Sequence, residues 1–411
     1  MVFDNFGRLR ILVICQTNND ADKYKGFEMS NVGTLQAIRA KTKDLFDFNV
    51  QLTEQQYKNS VSNSEEIEHG VIYLKSCPKR LVFELTNVCN LRCKMCGRND
   101  ADFSATIFNT EWIDKFAGIL NTIEEVTLMG WGEPTMHPEF IKILERLNQY
   151  SVRKYFCTNG QKLSELQLFN AIFDCKVDVM AVSLDGAVAV TNDSIRGKSF
   201  YNVINSLKNI VQERIKRSTK IPYINFVFTA MRSNFREIPA LIRLTGELGI
   251  EEVKVVFLTA FNNEMETEIL YGRMDEVKQI FEESIKVASE LNIRIKLPHV
   301  QGEDPSGSRS HKPCYTAWRD LFIGSDGFVR PCMSTPIKFF HIDECKDFEE
   351  IWNHPSYQYF RTIINNTENE PDSCKHCYQS SFANWNRNHA FIQTGLTFSP
   401  EWKKIFPINR N

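Results

Sequence analysis

Three cysteines fall within eight residues of "ELTNVCNLRCKMC": Cys89, Cys93 and Cys96. They follow "RLVFELT", an apolar run that predicts a β-strand over 80–86. Thiolates are preferred ligands of zinc and of iron–sulfur clusters, and structural zinc usually takes four protein ligands. Three local thiolates therefore indicate an iron–sulfur cluster with one iron open to another ligand, a zinc site completed by a distant residue, or three unrelated thiols.

A second group of cysteines lies near the C-terminus: Cys314, Cys332, Cys374 and Cys377. Four thiolates suit either a tetrahedral zinc site or a fully ligated [4Fe–4S] cluster. The stretch "FIGSDGFVRPC" predicts a β-hairpin turning at Asp326-Gly327. The chain has 12 cysteines and no signal-peptide layout, which favours metal binding over disulfides.

The elements that must position these residues repeat about every 30 residues. Strands are predicted at 80–86, 124–130, 152–158, 177–185, 222–230 and 251–259, with amphipathic helical patterns between them, as in 139–150 and 235–249. Repeated βα units predict parallel strands and a partial (β/α)6 barrel, whose chemistry sits at the C-terminal strand ends. The barrel is assigned to 77–300, after a short N-terminal α+β region (1–76) of unknown role and before a small cysteine-bearing domain with a C-terminal tail (301–411).

Composition excludes several classes of protein. The 411 residues carry 49 basic and 51 acidic side chains, a net charge of −2, so no basic face for nucleic acid is expected. The sequence contains no apolar run of 18 residues, so no membrane span is expected. With 42% hydrophobic residues the chain can bury a substantial core, and a cytoplasmic enzyme is expected.

The motifs and their order resemble the radical S-adenosylmethionine (radical SAM) superfamily. The resemblance rests on "ELTNVCNLRCKMC", "GWGEPTMHP", "TNG" and "SLDG…IRG", and covers about residues 78–260. It implies that Cys89, Cys93 and Cys96 ligate a [4Fe–4S] cluster whose open iron binds SAM. It also implies that an electron donor such as flavodoxin or ferredoxin reduces the cluster, and that a 5′-deoxyadenosyl radical from SAM abstracts a substrate hydrogen atom.

The same resemblance implies contacts to SAM around the turn after the second strand. Trp131, Gly132, Glu133 and Pro134 align with the family's turn, whose backbone and carboxylate hold the methionyl ammonium. Trp131 replaces a glycine, which is tolerable if its φ is negative and its side chain faces away from SAM. Glu133 alternatively only caps the turn. Met95 stands where the family often has an aromatic residue and would contact adenine through backbone and thioether.

Further SAM contacts are implied at the ends of the third and fourth strands. Ser183 and Asp185 are two residues apart and so face the same side of a strand; by resemblance they contact the ribose or carboxylate of SAM. Arg196 would pair with the SAM carboxylate or with substrate, unless it forms a surface ion pair. Asn159 either reaches the site or, with Gly160, forms a plain turn.

The second cysteine group resembles the SPASM/twitch extension of radical SAM enzymes. Gly327-x4-Cys332 and the later C-x2-C carry this resemblance, and no cysteine follows Cys377. The shorter twitch form with one auxiliary [4Fe–4S] cluster is therefore expected. Among the remaining cysteines, Cys157 ends the third strand. It is a candidate hydrogen-atom donor of the kind that radical SAM epimerases use, or simply a packed core residue.

Three functions remain open on the sequence. The first expectation is oxidation or epimerisation of a small molecule such as a sugar, aminocyclitol or nucleoside. The alternative is a maturase that cross-links or oxidises a residue of a peptide or protein. The remote alternative is a non-catalytic scaffold stabilised by metal.

Overall fold

The computed structural model describes residues 2–3, 9–10, 52–100, 104–260, 263–270, 272–298, 314–333, 335, 337–366, 368–371 and 374. The chain divides into two compact units, Met1–Val32 and Gly33–Asn411. In the first unit, strands β1 (Val2–Phe3) and β2 (Leu9–Arg10) pair antiparallel. The site lies in the second unit.

Six parallel strands form the centre of the second unit. They are β3 (Arg80–Phe83), β4 (Glu125–Leu128), β5 (Arg153–Thr158), β6 (Val179–Ser183), β7 (Tyr223–Ala230) and β8 (Glu252–Phe257). Each pairs in parallel with the next along the chain. The six predicted strands and the predicted α/β class with a parallel sheet are confirmed.

Four further strands extend this sheet at both sides. β9 (Arg294–Lys296) pairs in parallel with β8. On the other side, β10 (Asp320–Ile323) pairs in parallel with β3, and β11 (Phe328–Arg330) and β12 (Phe340–His341) follow antiparallel. The predicted hairpin exists as β10 and β11. Its continuation of the barrel sheet was not predicted, because pairing between segments about 240 residues apart leaves no local sequence signal.

Helices connect and flank the strands. They are α1 (Glu54–Glu68), α2 (Phe140–Leu147), α3 (Leu166–Asp174), α4 (Ala189–Arg196), α5 (Phe200–Lys216), α6 (Ile238–Glu247), α7 (Asn263–Glu266), α8 (Met274–Glu290), α9 (Thr316–Arg319), α10 (Phe348–Trp352) and α11 (Pro355–Ile363). The two amphipathic patterns named above correspond to α2 and α6.

The two faces of the sheet have different partners. Outward side chains such as Phe156, Val182 and Phe226 join the main apolar core under the helices. The alternate side chains form a separate inner cluster of Met129, Tyr155, Val179, Ala181 and Tyr223, with Cys157, Val227 and Met333 packed against it. We call this side the inner face. Both faces are therefore buried, as parallel sheets require.

Helix α1 lies in the N-terminal region, to which the sequence analysis assigned no role. It begins at the N-cap Thr53 and buries three polar side chains, Gln56, Asn59 and Asn63. Gln56 donates to the Ile123 carbonyl (2.9 Å), and Asn63 donates to the Trp318 carbonyl (2.8 Å). Because amides rather than apolar groups dock this helix, hydrophobic periodicity could not show which side is buried. The boundaries at 76/77 and 300/301 stay predictions.

Candidate active site

The loop that carries the first three cysteines leaves the carboxyl end of β3. Cys93 is buried, whereas Cys89 and Cys96 are partly exposed. The Lys94 amide donates to the Ile195 carbonyl (2.9 Å), which ties the loop to the end of α4. The Cys96 amide donates to the Cys93 carbonyl (3.0 Å), closing a tight turn between two of the thiols.

Nitrogen donors surround the sulfurs of this loop. Asn159 Nδ2 lies 3.7 Å from Cys89 Sγ, and an Arg196 guanidinium nitrogen lies 3.7 Å from Cys93 Sγ. The Leu91 amide lies 3.4 Å from Cys89 Sγ. Burial raises the pKa of Cys93 to about 11, and the Arg196 charge opposes that rise. Donors of this kind stabilise thiolate ligands and tune iron–sulfur clusters, so the site suits that group.

The arrangement differs from a site for one ion. Within the described ranges, no three Cys, His, Asp or Glu side chains converge as single-ion ligands. A four-iron cubane takes one thiolate on each ligated iron, so its cysteine sulfurs do not need to meet at one point. The Cys89–Cys96 loop is consistent with a cluster rather than with a three-ligand zinc site.

The turn after β4 brings the backbone close to the cysteine loop. A Cβ on Gly132 would lie 2.3 Å from the Thr86 carbonyl and 2.4 Å from that of Val88, so only glycine fits. The Trp131 amide donates to Glu84 Oε1 (2.8 Å), and its φ is negative, as the glycine replacement requires. The Trp131 side chain is partly exposed and lines a cleft described below.

Glu133 is a buried carboxylate with several protein donors. Its Oε1 accepts from the Thr135 and Thr158 hydroxyls (2.7 and 2.8 Å) and the Thr135 amide (3.3 Å), and Oε2 accepts from the Asn159 amide (2.7 Å). Burial raises its pKa, and these hydrogen bonds oppose the rise. Glu133 thus joins the turn, which continues through Pro134 at the start of a short 3-10 helix, to the end of β5. Its contact with the SAM ammonium stays a prediction.

Asp185 and Arg196 form a buried ion pair beside Cys93. Asp185 is 0% exposed and Arg196 is 9% exposed, with Nε and Oδ2 2.5 Å apart. Asp185 Oδ1 also accepts from the Thr229 amide (2.6 Å). The arginine therefore does not form the surface ion pair considered as an alternative. Ser183 is partly exposed at the end of β6. Roles for these residues in holding SAM stay predictions.

Two further residues predicted to contact SAM lie in or next to the cysteine loop, Met95 and Asn159. Met95 packs against an apolar cluster that includes Ile195, Met231 and Leu258. Asn159 is buried and donates to Asn90 Oδ1 (2.8 Å) in addition to its contact with Cys89. The structure brings both residues to the cysteine loop. Whether either contacts SAM stays a prediction.

Cys157 faces the inner cluster from β5 and is partly exposed. Its Sγ lies 3.3 Å from Met129 Sδ and 3.6 Å from the Tyr155 hydroxyl. Burial raises its pKa to about 11, so the thiol stays protonated at neutral pH. A hydrogen-atom donor needs that protonation state. The role stays a prediction, because packing within the inner cluster explains the same position.

The sequence analysis missed a polar group deeper on the inner face. Cys157, Ala181, Asn225 and Glu252 are successive partners across β5 to β8, so they form one row. Asn225 is 0% exposed, and neither amide atom has a hydrogen-bond partner among the residues that the structure describes. Lys254, also 0% exposed, lies 4.0 Å from Glu252, and burial lowers its pKa to about 7. Alternation along β7 and β8 was the available signal.

Three of the four C-terminal cysteines lie within the described residues, and two of them, Cys314 and Cys332, lie near Tyr357 of α11. Cys314 is held by Asn365, whose side chain accepts from the Cys314 amide (2.5 Å) and donates to its carbonyl (3.1 Å). Burial raises the pKa of Tyr357, and the nearby Cys332 and Cys314 add to that rise. Cys314 and Cys374 pack against the same core. Cys377 lies outside the described residues. The thiols present suit an iron–sulfur cluster.

A cleft of about 290 Å³ lies between the barrel and the β10–β11 hairpin. Glu84 and Trp131 line it from the barrel, and Phe322, Asp326 and Met333 line it from the C-terminal region. Met333 also packs on the inner cluster that contains Cys157. The cleft therefore adjoins the inner face close to the cysteine loop.

A parallel barrel with a three-thiolate loop at its carboxyl ends, and further cysteines in the C-terminal region, is the architecture expected of an iron–sulfur enzyme. The family model of the Radical SAM superfamily matches residues 83–229, and that of the SPASM iron–sulfur cluster-binding domain matches residues 314–378. The chain belongs to the radical SAM superfamily and carries a C-terminal SPASM domain. Its cofactors are a [4Fe–4S] cluster with SAM and an auxiliary iron–sulfur cluster.

Several known proteins are similar to this chain. A tungsten-containing aldehyde ferredoxin oxidoreductase cofactor-modifying protein of Pyrococcus furiosus is 25% identical over 70% of this chain and 84% of its own length. Mycofactocin maturase MftC of Mycobacterium ulcerans is 34% identical over 36% of this chain and 39% of its own. The structure of Streptococcus suis SuiB bound to precursor peptide SuiA covers 83% of this chain and 79% of its own, with a TM-score of 0.56 and 16% identity.

Within the part of the chain that the structure describes, no helix combines the length and the apolar character needed to cross a bilayer.

Proposed function

We propose that this radical SAM enzyme modifies a residue of a peptide or protein. The cleft between barrel and hairpin carries the proposal. At about 290 Å³ it lies at the lower end of ligand pockets, roughly 300–1,000 Å³, so it suits one side chain with its adjoining backbone. Trp131 and Met333 at its edge adjoin the cysteine loop and the inner face.

The similarity to mycofactocin maturase MftC supports a peptide substrate, and SuiB, solved with its precursor peptide, shares the fold. These findings favour the peptide alternative over the small-molecule oxidation or epimerisation that the sequence analysis ranked first. The cofactor-modifying relative of Pyrococcus furiosus keeps a non-peptide substrate as the second candidate.

When bound, the cluster and SAM supply the one-electron cleavage that produces a hydrogen-abstracting radical. The chain's own residues hold and shield this chemistry. The Glu133 contacts fix the turn against β5, and Asp185 fixes Arg196 beside Cys93. Trp131 and the β10–β11 hairpin line the cleft, so a substrate that fills it would exclude water from the reacting groups.

The experiment uses the reconstituted enzyme with SAM, a reductant and short peptides encoded beside its gene. We expect 5′-deoxyadenosine and a mass change in one peptide, both lost in Cys93→Ala. The matched control is Cys175→Ala, which removes a buried thiol of the outer core. Turnover of a sugar or nucleoside with every peptide unchanged would refute the peptide proposal and restore the small-molecule alternative.

A further inference from the structure

The cleft between the barrel and the β10–β11 hairpin has apolar walls. Trp131, Phe322, Phe328 and Met333 line it. Phe322 is buried, whereas the other three are partly exposed and can therefore contact a group that enters the cleft. Aromatic rings and a thioether bind other apolar groups well, because the contact removes apolar surface from water.

Three of the charged side chains that line the cleft pair with one another. Asp326 accepts two hydrogen bonds from the Arg330 guanidinium, both 2.8 Å long, and lies 2.6 Å from the Lys338 ammonium. The ammonium also lies 4.5 Å from the centre of the Phe328 ring. Burial by itself raises the pKa of Asp326, but the hydrogen bonds and charges of these two cations lower it to about 2. Both cations therefore already have a counter-charge within the protein.

The fourth charged side chain of the cleft, Glu84, is held by neutral donors. Its Oε1 accepts from the Trp131 amide (2.8 Å), and its Oε2 accepts from the amide and the hydroxyl of Ser325 (3.2 and 3.1 Å). Ser325 Oγ in turn lies 2.6 Å from Thr106 Oγ1. Glu84 is 5% exposed, so these bonds replace the water that the carboxylate loses on burial.

The uncharged polar side chains of the cleft are also bonded within the protein. Asn87 donates to the Ser104 carbonyl and accepts from the Thr106 amide, both at 2.8 Å. Thr335 Oγ1 accepts from the Ile337 amide (3.2 Å). The lining includes two carboxylates and two cations, so their charges cancel. A charged side chain that entered the cleft would lose its hydration where the protein's charges already have partners, which is unfavourable.

We propose that this cleft binds a large uncharged apolar side chain of the peptide substrate and excludes charged side chains. The inference rests on the proposed function and names the kind of residue that the site accepts. The bound side chain packs on Phe328 and Met333, and Met333 also adjoins the inner cluster that contains Cys157. Selection follows from the difference in the cost of desolvation between apolar and charged side chains.

The test uses the reconstituted enzyme and a peptide that it modifies. Each apolar residue of the peptide is replaced in turn by glutamate, by leucine and by phenylalanine, and kcat/KM for modification is measured. We expect one position at which glutamate lowers kcat/KM about tenfold or more, mainly through a higher KM, while leucine and phenylalanine are accepted. Equal turnover with glutamate at every position would overturn the proposal. Faster turnover with glutamate would also overturn it, because Lys338 would then recognise an acidic side chain.

Met333→Lys tests whether this cleft is the place of selection. The new ammonium would give the glutamate side chain a partner, so kcat/KM for the glutamate peptide should rise about tenfold, while that for the parent peptide should fall. Phe328→Lys is the second variant, because Met333 directly follows Cys332; the iron content of both variants is compared with the wild type. The control Met274→Lys places the same charge at the start of α8, outside the cleft, and should leave both values unchanged.

The outcomes separate this inference from the proposed function. If neither lysine variant with wild-type iron content raises turnover of the glutamate peptide, the cleft does not select the side chain, and the proposed function still stands. If the wild-type enzyme modifies no peptide, the proposed function fails and this inference fails with it.

Discussion

The buried pair of Asp185 and Arg196 offers a test of what holds the site together. Arg196→Met keeps most of the side-chain volume and removes the charge. The Asp185 carboxylate, 0% exposed, then keeps the Thr229 amide at 2.6 Å and loses its cation at 2.5 Å. An uncompensated buried charge of this kind costs about 3–5 kcal/mol in free energy of unfolding.

Urea denaturation under anaerobic conditions measures this cost. For a slope of about 3 kcal/mol per molar urea, the midpoint should fall by roughly 1–1.7 M. The double variant R196M/D185N removes both charges and should recover about half of the loss or more, because a neutral amide can still accept from the Thr229 amide.

The control is Arg217→Met, which breaks pairs with Glu213 and Asp174 on the surface. Its cost should stay below about 1 kcal/mol. The reasoning is refuted if R196M costs no more than R217M, or if the double variant is no more stable than R196M. Either result would mean that the pair is not what stabilises this corner of the site.

Three other substitutions test separate parts of the structure. Gly132→Ala should prevent the turn from closing on the Thr86 and Val88 carbonyls, so anaerobic reconstitution should bind less iron; a wild-type iron content would contradict this. Asn225→Leu should raise the free energy of unfolding by about 1–3 kcal/mol, because it removes two unpartnered buried amide atoms. The urea midpoint should rise accordingly, and a lower midpoint would show that the amide is needed. Burial lowers the pKa of Lys254 from its ordinary value of 10.5 to about 7. Between pH 7 and 10.5, Lys254 is therefore protonated in the unfolded chain and neutral in the folded chain. Stability should therefore rise with pH from about 7 to 8.5, and Lys254→Met should flatten that slope while Lys208→Met does not.

Much of the fold and of the site could be predicted from the sequence. Short apolar runs, separated by helical segments, predicted all six central strands. A parallel strand that is buried on both faces leaves such a continuous apolar run in the sequence. The cysteine spacing identified the loop because its chemistry depends on residues close together in the chain. The turn at Gly132 could be recognised for the same reason, since its glycine is required by local backbone contact.

What could not be predicted depends on contacts between distant segments. The pairing of β10 with β3 joins residues about 240 apart, so no local pattern encodes it. The sequence allowed Arg196 only a partner in SAM or substrate or a surface ion pair, whereas its buried pair with Asp185 depends on the tertiary packing of α4. The row from Cys157 to Glu252 follows from sheet register, which becomes visible only when the strands are aligned.

The pairing of β10 with β3 also limits how this protein can be divided. All four residues of β3 are buried, and β10 covers the side of that strand opposite β4. A chain that ended before β10 would expose this apolar strand as an open edge, which is a template for aggregation. The SPASM domain thus covers what would otherwise be an open edge of the barrel sheet. Exchanging it between relatives would require the hairpin and β3 to be exchanged together.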